Sequence, residues 1–255
     1  MPSTSDRWVR RYHPAPEART RLVCLPHAGG SASYFHGVSK ALSPAIDVLA
    51  VQYPGRQDRA SEPGVPSIEE LADQVVAALR PWADRPLTLF GHSMGASLGF
   101  EVGIRLEAAG VRLTALFASG RRAPSRHRHE TVHLRDDEGL IAEVKSLAGT
   151  ASSLLGDEEV LRMVLPAIRN DYRAAETYRP EPGPRLSCPV LALVGDRDPK
   201  CTVDEARSWG EHTGGAFELR VFPGGGHFYL NDSVPAILDL IRERADPRPS
   251  ASPAG

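Results

Sequence analysis

The feature that most constrains the fold of this chain is a regular alternation of two kinds of segment. Short apolar runs rich in β-branched residues alternate with longer stretches whose apolar residues recur at helical spacing. The apolar runs are RLVCLP (21–26), DVLAVQYP (47–54), LTLFG (87–91), LTALFAS (113–119), PVLALVG (189–195) and FELRVFP (217–223). Most are almost continuously apolar, as strands are when helices cover both faces of a sheet. The alternation therefore predicts an α/β fold with a mostly parallel central sheet and helices on both faces.

Four of the intervening segments have the apolar spacing of a helix that packs one face on a core. They cover residues 67–79, 96–109, 202–212 and 234–244. The first opens with Ser67 and Glu70, a pair that can satisfy the free N–H groups at a helix start. The second is followed by Gly110, which suits the backbone at a helix end. These segments supply the helices that connections between parallel strands require.

Residues 121–186 interrupt this alternation. Within them, LRDDEGLIAEVKSLAG and DEEVLRMVLPAIRNDYRAAETY have helical spacing, and no run is typical of a strand. Because insertions after the carboxyl ends of strands overhang the ligand crevice of an α/β sheet, we expect a helical lid. The chain is thus divided into a core, residues 1–120 and 187–245, a lid insertion, residues 121–186, and a Pro- and Ser-rich tail, residues 246–255, expected to be disordered.

Composition argues against several classes of function. The formal net charge is -2, which gives no overall attraction to nucleic acid or to an anionic membrane. No apolar run approaches the roughly 18 residues of a membrane-spanning helix, and the first residues lack the apolar segment of a secretory signal. The cysteines, Cys24, Cys188 and Cys201, are odd in number and widely spaced. This argues against a disulfide framework and fits a cytoplasmic protein.

The stretch GHSMG, residues 91–95, stands where the apolar run LTLF ends and a helical pattern begins. It matches G-x-S-x-G, a turn in which a strand passes sharply into a helix and exposes a serine hydroxyl. Gly91 and Gly95 avoid side chains that would collide with the strand and the helix. The start of the following helix adds free N–H groups and positive potential. We therefore predict that Ser93 is a nucleophile.

A serine hydroxyl is a weak nucleophile unless a base accepts its proton. In folds with this turn, an acid and then a histidine follow the serine along the chain. PVLALVGDRDP places Asp196 and Asp198 just after one strand, and FELRVFPGGGHF places His227 just after the next. The three glycines before the histidine leave the backbone free to bring it over the sheet. We predict His227 as the base and Asp198 as its carboxylate partner, with Asp196 capping the loop or facing solvent.

The chemistry also needs N–H donors for the negative oxygen of a tetrahedral intermediate. One is expected from Met94, the residue after the nucleophile, and the other from a loop after an early strand. CLPHAGGSASYF, residues 24–35, is that loop, and we expect the Ala28 N–H to be the second donor. The two glycines after Ala28 allow the backbone to approach the site. His27 is interpreted as shaping this turn rather than as an acid or base.

Motifs along nearly the whole chain resemble those of the type II thioesterases, stand-alone editing enzymes of polyketide synthases and nonribosomal peptide synthetases. The matching stretches are LVCLPHAGGSASYF, VQYPGRQDR, LFGHSMGA, FASGRRAP, LPAIRNDYRAAETY, LVGDRDP and FPGGGHF. The resemblance implies an α/β-hydrolase fold with a helical lid, and hydrolysis of acyl thioesters on the phosphopantetheine arm of carrier proteins. The family's catalytic triad and oxyanion donors match Ser93, Asp198, His227, Ala28 and Met94. No metal or other cofactor is expected.

The expected partner is therefore an acyl or peptidyl carrier protein, with no nucleic acid or membrane, and the chain is expected to act as a monomer in the cytoplasm. The residues alone leave other functions open. The same triad could serve a carboxylesterase or lipase, or an acyltransferase that passes the acyl group to an acceptor other than water. A hydrolase fold that has lost activity and serves as a binding module is a further alternative, which the complete triad disfavours.

Other residues have two interpretations each. Arg121 and Arg122 begin a basic stretch that is either a docking surface for an acidic carrier protein or an ordinary charged loop. The histidines of RHRHETVH, residues 126–133, lack the companion cluster of a metal site. Arg56 is expected to be ion-paired in a turn. Four other residues either line an acyl chamber or pack in the core: Tyr34, Phe35, Leu154 and Leu155.

Overall fold

A seven-stranded sheet runs through the protein, whose computed structural model describes residues 7–148 and 158–245. The strands are β1 Val9–Arg10, β2 Arg21–Leu25, β3 Asp47–Val51, β4 Leu87–His92, β5 Leu113–Ser119, β6 Val190–Gly195 and β7 Phe217–Phe222. Their order is β1-β3-β2-β4-β5-β6-β7, and all neighbours are parallel except β1 and β3. The predicted α/β fold is confirmed, with every predicted strand present. The sequence analysis missed β1 because so short a run carries no periodicity.

The α-helices of the described residues lie between and after these strands. They are α1 His36–Leu42, α2 Ile68–Leu79, α3 Met94–Ala108, α4 Asp137–Ala148, α5 Glu158–Thr177, α6 Val203–Arg207 and α7 Val234–Ala245. The predicted cap of α2 is present, since Ser67 Oγ accepts the Glu70 N–H at 3.2 Å. The predicted helix over 202–212 is instead two short pieces, α6 and the 3-10 helix Ser208–His212. Within the described ranges, no helix is both long enough and apolar enough to cross a bilayer.

The core consists of two layers because alternate residues of each strand face opposite sides of the sheet. On β2, Val23 and Leu25 pack with residues of α2 and α3, whereas Leu22 and Cys24 pack with residues of α1 and α7. All residues of β2, β3 and β4 are buried, as their continuous apolar character predicts. Each fully buried leucine contributes about 1.5–3 kcal/mol, so these central strands hold the framework rigid.

The order of the strands places a crevice beside β2. Strand β3 pairs with one edge of β2 and strand β4 pairs with the other edge. In the second pairing, Leu25 of β2 lies opposite Gly91 of β4. Loops that leave two adjacent parallel strands in opposite directions open a ligand crevice at their carboxyl ends. Helix α3 begins there, so close to β2 that a Cβ atom on Gly95 would lie 2.1 Å from the Leu25 carbonyl oxygen.

The segment predicted as an insertion, residues 121–186, contributes α4 and α5. Apolar side chains of these helices, together with Val132 of the 3-10 helix Val132–Leu134, form a cluster apart from the two layers of the core. The members from the helices are Leu140, Ile141, Leu161, Leu165 and Ile168. Helix α5 also contacts α3. We retain the proposal that this segment is a lid. Leu154 and Leu155, and the tail predicted for residues 246–255, lie outside the described residues.

Gly95→Ala is expected to lower the free energy of unfolding by at least about 2 kcal/mol, because the added methyl meets backbone that cannot easily move. Gly37→Ala is the matched control, since Gly37 lies in α1 and a methyl group added there would meet no heavy atom within 4 Å. Its effect should stay within about 1 kcal/mol. Urea denaturation measures both; similar values for the two variants would contradict the tight packing of α3 on β2.

Candidate active site

Ser93 lies in a strained turn between β4 and α3. Its φ and ψ are 55° and -118°, a region that residues other than glycine rarely occupy. The turn is held by the Ser93 N–H, which donates to the Ser119 carbonyl of β5 at 2.8 Å. A Cβ atom on Gly91 would lie 2.0 Å from the Gly95 carbonyl oxygen, so the turn excludes any side chain there. This geometry presents the hydroxyl at the carboxyl edge of the sheet.

His227 and Asp198 form a buried pair at the same edge. The His227 Nδ1 atom lies 2.9 Å from both carboxylate oxygens of Asp198. The side chains are 2% and 0% exposed, and Asp198 Oδ1 also accepts the Lys200 N–H at 2.8 Å. Asp196 is exposed and instead accepts the Gly224 N–H at 2.7 Å. Of the two aspartates considered, Asp198 is therefore the one that contacts the imidazole, while Asp196 caps the histidine loop.

The loops bring Ser93 and His227 into one pocket although their strands are not neighbours. Strand β7 lies three positions from β4 in the sheet, roughly 14 Å at the usual strand spacing. The glycine-rich loop after β7 bridges this separation, because Ser93, His227 and Ala28 all line one pocket of about 40 Å³. A nucleophile, a base and backbone donors can thus reach the same small ligand group.

The predicted oxyanion donors are the N–H of Ala28, which lines this pocket, and the N–H of Met94, the residue after Ser93. Within the described residues, neither the Ala28 nor the Met94 N–H donates to a protein acceptor. Met94 is the first residue of α3, where N–H groups are free and the helix dipole favours negative charge. Ala28 belongs to the β2 loop, residues 26–31, which follows the neighbouring strand. Both groups lie where the sequence analysis expects the oxyanion donors.

Two more histidines border the site and remain neutral. The His92 ring centroid is 5.0 Å from that of His227, and the His27 ring centroid is 5.9 Å from that of His92. Burial, together with the neighbouring His227, lowers the pKa of His27 to about 3 and that of His92 well below its usual value. Neither ring is therefore a proton acceptor near neutral pH. The His27 carbonyl accepts the Gly30 N–H at 2.9 Å, which fits the predicted role in the turn.

A hydrogen-bonded chain beneath the site links the strands that carry the nucleophile and the base. His92 Nδ1 lies 2.9 Å from Ser119 Oγ, which lies 2.5 Å from the Tyr229 hydroxyl. Tyr229 follows His227 by two residues, and His92 precedes Ser93. The chain thus ties the end of β4 to the histidine loop through β5. Sequence reasoning did not find it, because strand pairing alone brings Ser119 beside His92.

The pocket also contains side chains that the sequence analysis did not assign to it. These are Arg121, Glu130, Leu147, Tyr172, Ala175, Glu176, Lys200 and Phe228. Arg121 donates to Ser97 Oγ at 3.0 Å and to the Ala175 carbonyl at 2.8 Å. Arg122 is only 5% exposed and is ion-paired with Glu130. Both guanidinium groups are thus bonded to protein groups, Arg122 in a buried position and Arg121 in a half-buried one at the Ser93 pocket; docking of a carrier protein here stays a hypothesis.

Tyr34 and Phe35 line a different cavity from the one that holds Ser93. That cavity has a volume of about 140 Å³ and lies between α1, α7 and the sheet. The Tyr34 hydroxyl donates to Asn231 Oδ1 at 2.7 Å at its edge. The two residues therefore line a cavity other than the Ser93 pocket, and their role in an acyl chamber stays a prediction.

The histidine-rich stretch before α4 takes part in packing. Across residues 7–148 and 158–245, no group of three or more His, Cys, Asp or Glu side chains is arranged to hold a metal ion. His133 Nδ1 lies 2.5 Å from Glu176 Oε2, and that carboxylate also accepts the Val132 and His133 N–H groups. His133 is thus part of the contact between the 3-10 helix Val132–Leu134 and α5.

Comparisons with known proteins agree on one family. A family model described as a thioesterase domain matches residues 20–245. Thioesterase PikA5 of Streptomyces venezuelae is 55% identical over 241 residues, covering 94% of this chain and 85% of the relative. The probable cadicidin biosynthesis thioesterase of Streptomyces griseus is 52% identical over 251 residues, covering 98% of this chain and 69% of that protein. The solved structure of the type II thioesterase BorB from the borrelidin biosynthetic cluster is 55% identical, with a TM-score of 0.91 over 96% of this chain and 100% of that one.

Asp198→Asn is expected to lower kcat roughly 10⁴-fold, because an amide can no longer stabilise the protonated imidazole or select its tautomer. Asp196→Asn removes only a loop cap at an exposed position and should change kcat by no more than about twofold. Steady-state hydrolysis of a short soluble acyl thioester measures both variants. The reverse order of effects would overturn the assignment of Asp198.

Proposed function

This chain belongs to the thioesterase family, and from that premise we propose that it is an editing enzyme of the type II class. It acts on the acyl or peptidyl carrier proteins of a polyketide or nonribosomal peptide synthase, and removes stalled or aberrant acyl groups from their phosphopantetheine arms. The observation that carries the proposal is the buried Asp198–His227 pair, whose imidazole lines the pocket that also contains the strained Ser93. The relatives named as biosynthetic thioesterases support the same activity.

In the proposed acylation step, His227 accepts the proton of Ser93 as the serine oxygen bonds to the thioester carbonyl carbon. The carbonyl oxygen becomes an oxyanion that the Ala28 and Met94 N–H groups stabilise. The intermediate then collapses, the carbon–sulfur bond breaks, and His227 returns the proton to the departing sulfur. Because thiols have a pKa near 8.5, far below that of alcohols, this departure needs little help from the acid.

In the second step, water releases the acyl group. The water oxygen attacks the acyl carbon of the ester on Ser93 while His227 accepts a proton from the water. A second oxyanion then forms at the position faced by the Ala28 and Met94 N–H groups. Collapse breaks the bond to the serine oxygen, which regains its proton from His227. The net reaction consumes one water and yields a carboxylic acid and the free thiol of the carrier arm.

Asp198 stabilises the positive charge that His227 carries in both steps. The carboxylate is buried with the imidazole, so their interaction is screened far less than at the surface. The Lys200 N–H holds one carboxylate oxygen and limits its rotation. The neutral His27 and His92 rings add no competing proton acceptor beside this pair.

The partner and the compartment follow from the same proposal. Every group assigned to the reaction comes from a single chain, so a monomer is sufficient. Cys24, Cys188 and Cys201 are free buried thiols, and burial raises the pKa of Cys188 and of Cys201 to about 12. Such thiols fit the reducing cytoplasm, where we propose that the enzyme meets its carrier protein.

Ser93→Ala is expected to abolish labelling by a fluorophosphonate probe and to lower kcat by several orders of magnitude. Ser146→Ala, at an exposed serine of α4, is the matched control and should behave as the unmodified enzyme. Mass spectrometry of the labelled peptide and steady-state kinetics measure the two effects. A probe that labels another residue would contradict Ser93 as the nucleophile.

The proposed substrate is tested with acyl groups loaded on a carrier protein. We expect their release as free acids, detected by mass spectrometry, and faster turnover of an acyl pantetheine thioester than of the matched oxygen ester. Preference for the oxygen ester would indicate a carboxylesterase. Transfer of the acyl group to an added acceptor in place of water would indicate an acyltransferase.

A further inference from the structure

Helix α5 contains a buried carboxylate, Asp171, that lies outside the proposed triad. Asp171 is 2% exposed and Arg56 is 4% exposed. The two side chains meet in a two-pronged ion pair, with Arg56 Nη1 donating to Asp171 Oδ2 at 2.7 Å and Nη2 donating to Oδ1 at 2.9 Å. The predicted ion pairing of Arg56 is present, but its partner is 115 positions away and could not be identified from the local pattern.

This ion pair binds the backbone of the β2 loop at two points. Asp171 Oδ2 accepts the Gly29 N–H at 2.8 Å, and Arg56 Nη1 donates to the Gly30 carbonyl at 3.1 Å. Gly29 has a φ of 76°, a conformation that favours glycine, and a Cβ atom there would lie 2.7 Å from Ile168 of α5. The loop is therefore pressed against α5 and held there by charged hydrogen bonds, which are stronger than neutral ones.

The residue immediately before Gly29 is Ala28, the proposed oxyanion donor that lines the Ser93 pocket. The Ala28 N–H belongs to the His27–Ala28 peptide, which is joined at the Ala28 Cα to the Ala28–Gly29 peptide that Asp171 binds. A rotation of the Ala28–Gly29 peptide would therefore displace its neighbour and move the Ala28 N–H from the position of the oxyanion. Oxyanion donors must be held in place before the reaction to be effective. The contact from Asp171 to the Gly29 N–H restricts this rotation.

A contribution to stability alone does not account well for this arrangement. Replacing a buried ion pair with apolar residues is often neutral or stabilising, because burial of two charges is costly. Arg169 on the same helix offers a contrast: it is ion-paired with Asp137 at 2.7 Å at the surface, and its other contacts are the His133 and Arg135 carbonyls. What distinguishes Asp171 is its bond to the β2 loop.

We propose that Asp171 is a positioning residue for thioester hydrolysis, which with Arg56 holds the Gly29 peptide so that the Ala28 N–H faces the oxyanion. The inference rests on the proposed function and extends it. Because Asp171 belongs to α5, one oxyanion donor is correctly oriented only while the predicted lid segment packs on the β2 loop. The position of α5 is thereby coupled to the chemistry at Ser93.

Asp171→Asn is expected to lower kcat roughly 10²-fold with KM changed less than about twofold, the effect of losing one oxyanion donor. A short alkylboronic acid, which forms a tetrahedral adduct on the serine with an oxygen at the oxyanion position, should lose affinity by the same factor. An acyl amide analogue that binds without forming this adduct should keep its affinity. Arg169→Gln is the matched control on α5 and should leave all three measurements unchanged.

A second variant separates positioning from folding. Arg56→Met/Asp171→Leu removes both charges, so its melting temperature should exceed that of Asp171→Asn, which leaves the Arg56 charge buried without a partner. Positioning predicts that kcat and boronate affinity stay low in this variant. If kcat and boronate affinity recovered together with the melting temperature in the double variant, the proposal would be overturned. Equal losses of boronate and amide affinity in Asp171→Asn would also overturn it.

The experiment also remains informative if the proposed substrate is wrong. Boronate affinity and the rate of fluorophosphonate labelling depend on Ser93 and the oxyanion donors, not on a carrier protein. Slow labelling of Asp171→Asn, with normal labelling of Arg169→Gln, would support the positioning role even if the unmodified enzyme failed to release carrier-bound acyl groups. Equal labelling rates in the two variants would refute it.

Discussion

The close contact between the turn at Ser93 and the end of β2 is the constraint that sets the geometry of the whole site. A Cβ atom on Gly95 would lie 2.1 Å from the Leu25 carbonyl and 2.7 Å from the Pro26 carbonyl. The serine turn therefore lies directly against the start of the β2 loop, two residues before Ala28. Because both are anchored to buried parallel strands, the serine turn and the start of the β2 loop keep a fixed relation, and only the orientation of the Ala28 N–H is left to contacts from elsewhere.

Charge inside this region is either paired or suppressed, as the cost of burying an isolated charge requires. Asp198 contacts His227, and Arg56 contacts Asp171, each pair being almost fully buried. The nearby His27 and His92 stay neutral because burial and their neighbours lower the pKa of each. In the proposed mechanism, proton transfer is thus confined to the His227 imidazole, and the Arg56–Asp171 pair is proposed to order the backbone of the β2 loop.

The two helices of the insertion each touch a loop of the site. Asp171 of α5 binds the β2 loop, and Glu143 of α4 lies 2.5 Å from the side-chain Nζ of Lys200, whose backbone N–H holds Asp198. The apolar cluster between α4 and α5 is separate from the main core, so it can keep the helices together as one unit. A segment whose residues line the pocket is therefore linked to the β2 loop through Asp171 and to the loop of Asp198 through Glu143 and Lys200.

Local patterns in the chain were enough to predict the six main strands, the turn at Ser93 and the choice of His227, because these depend on periodicity and on steric limits within a few residues. The distance from the strand end also indicated Asp198. The folded structure was needed to learn that Arg56 pairs with Asp171, that Arg122 is buried against Glu130, and that Tyr34 lines another cavity. The physical reason is that partners far apart in sequence are set by strand order and helix packing, and side-chain pattern does not encode which distant carboxylate an arginine will meet.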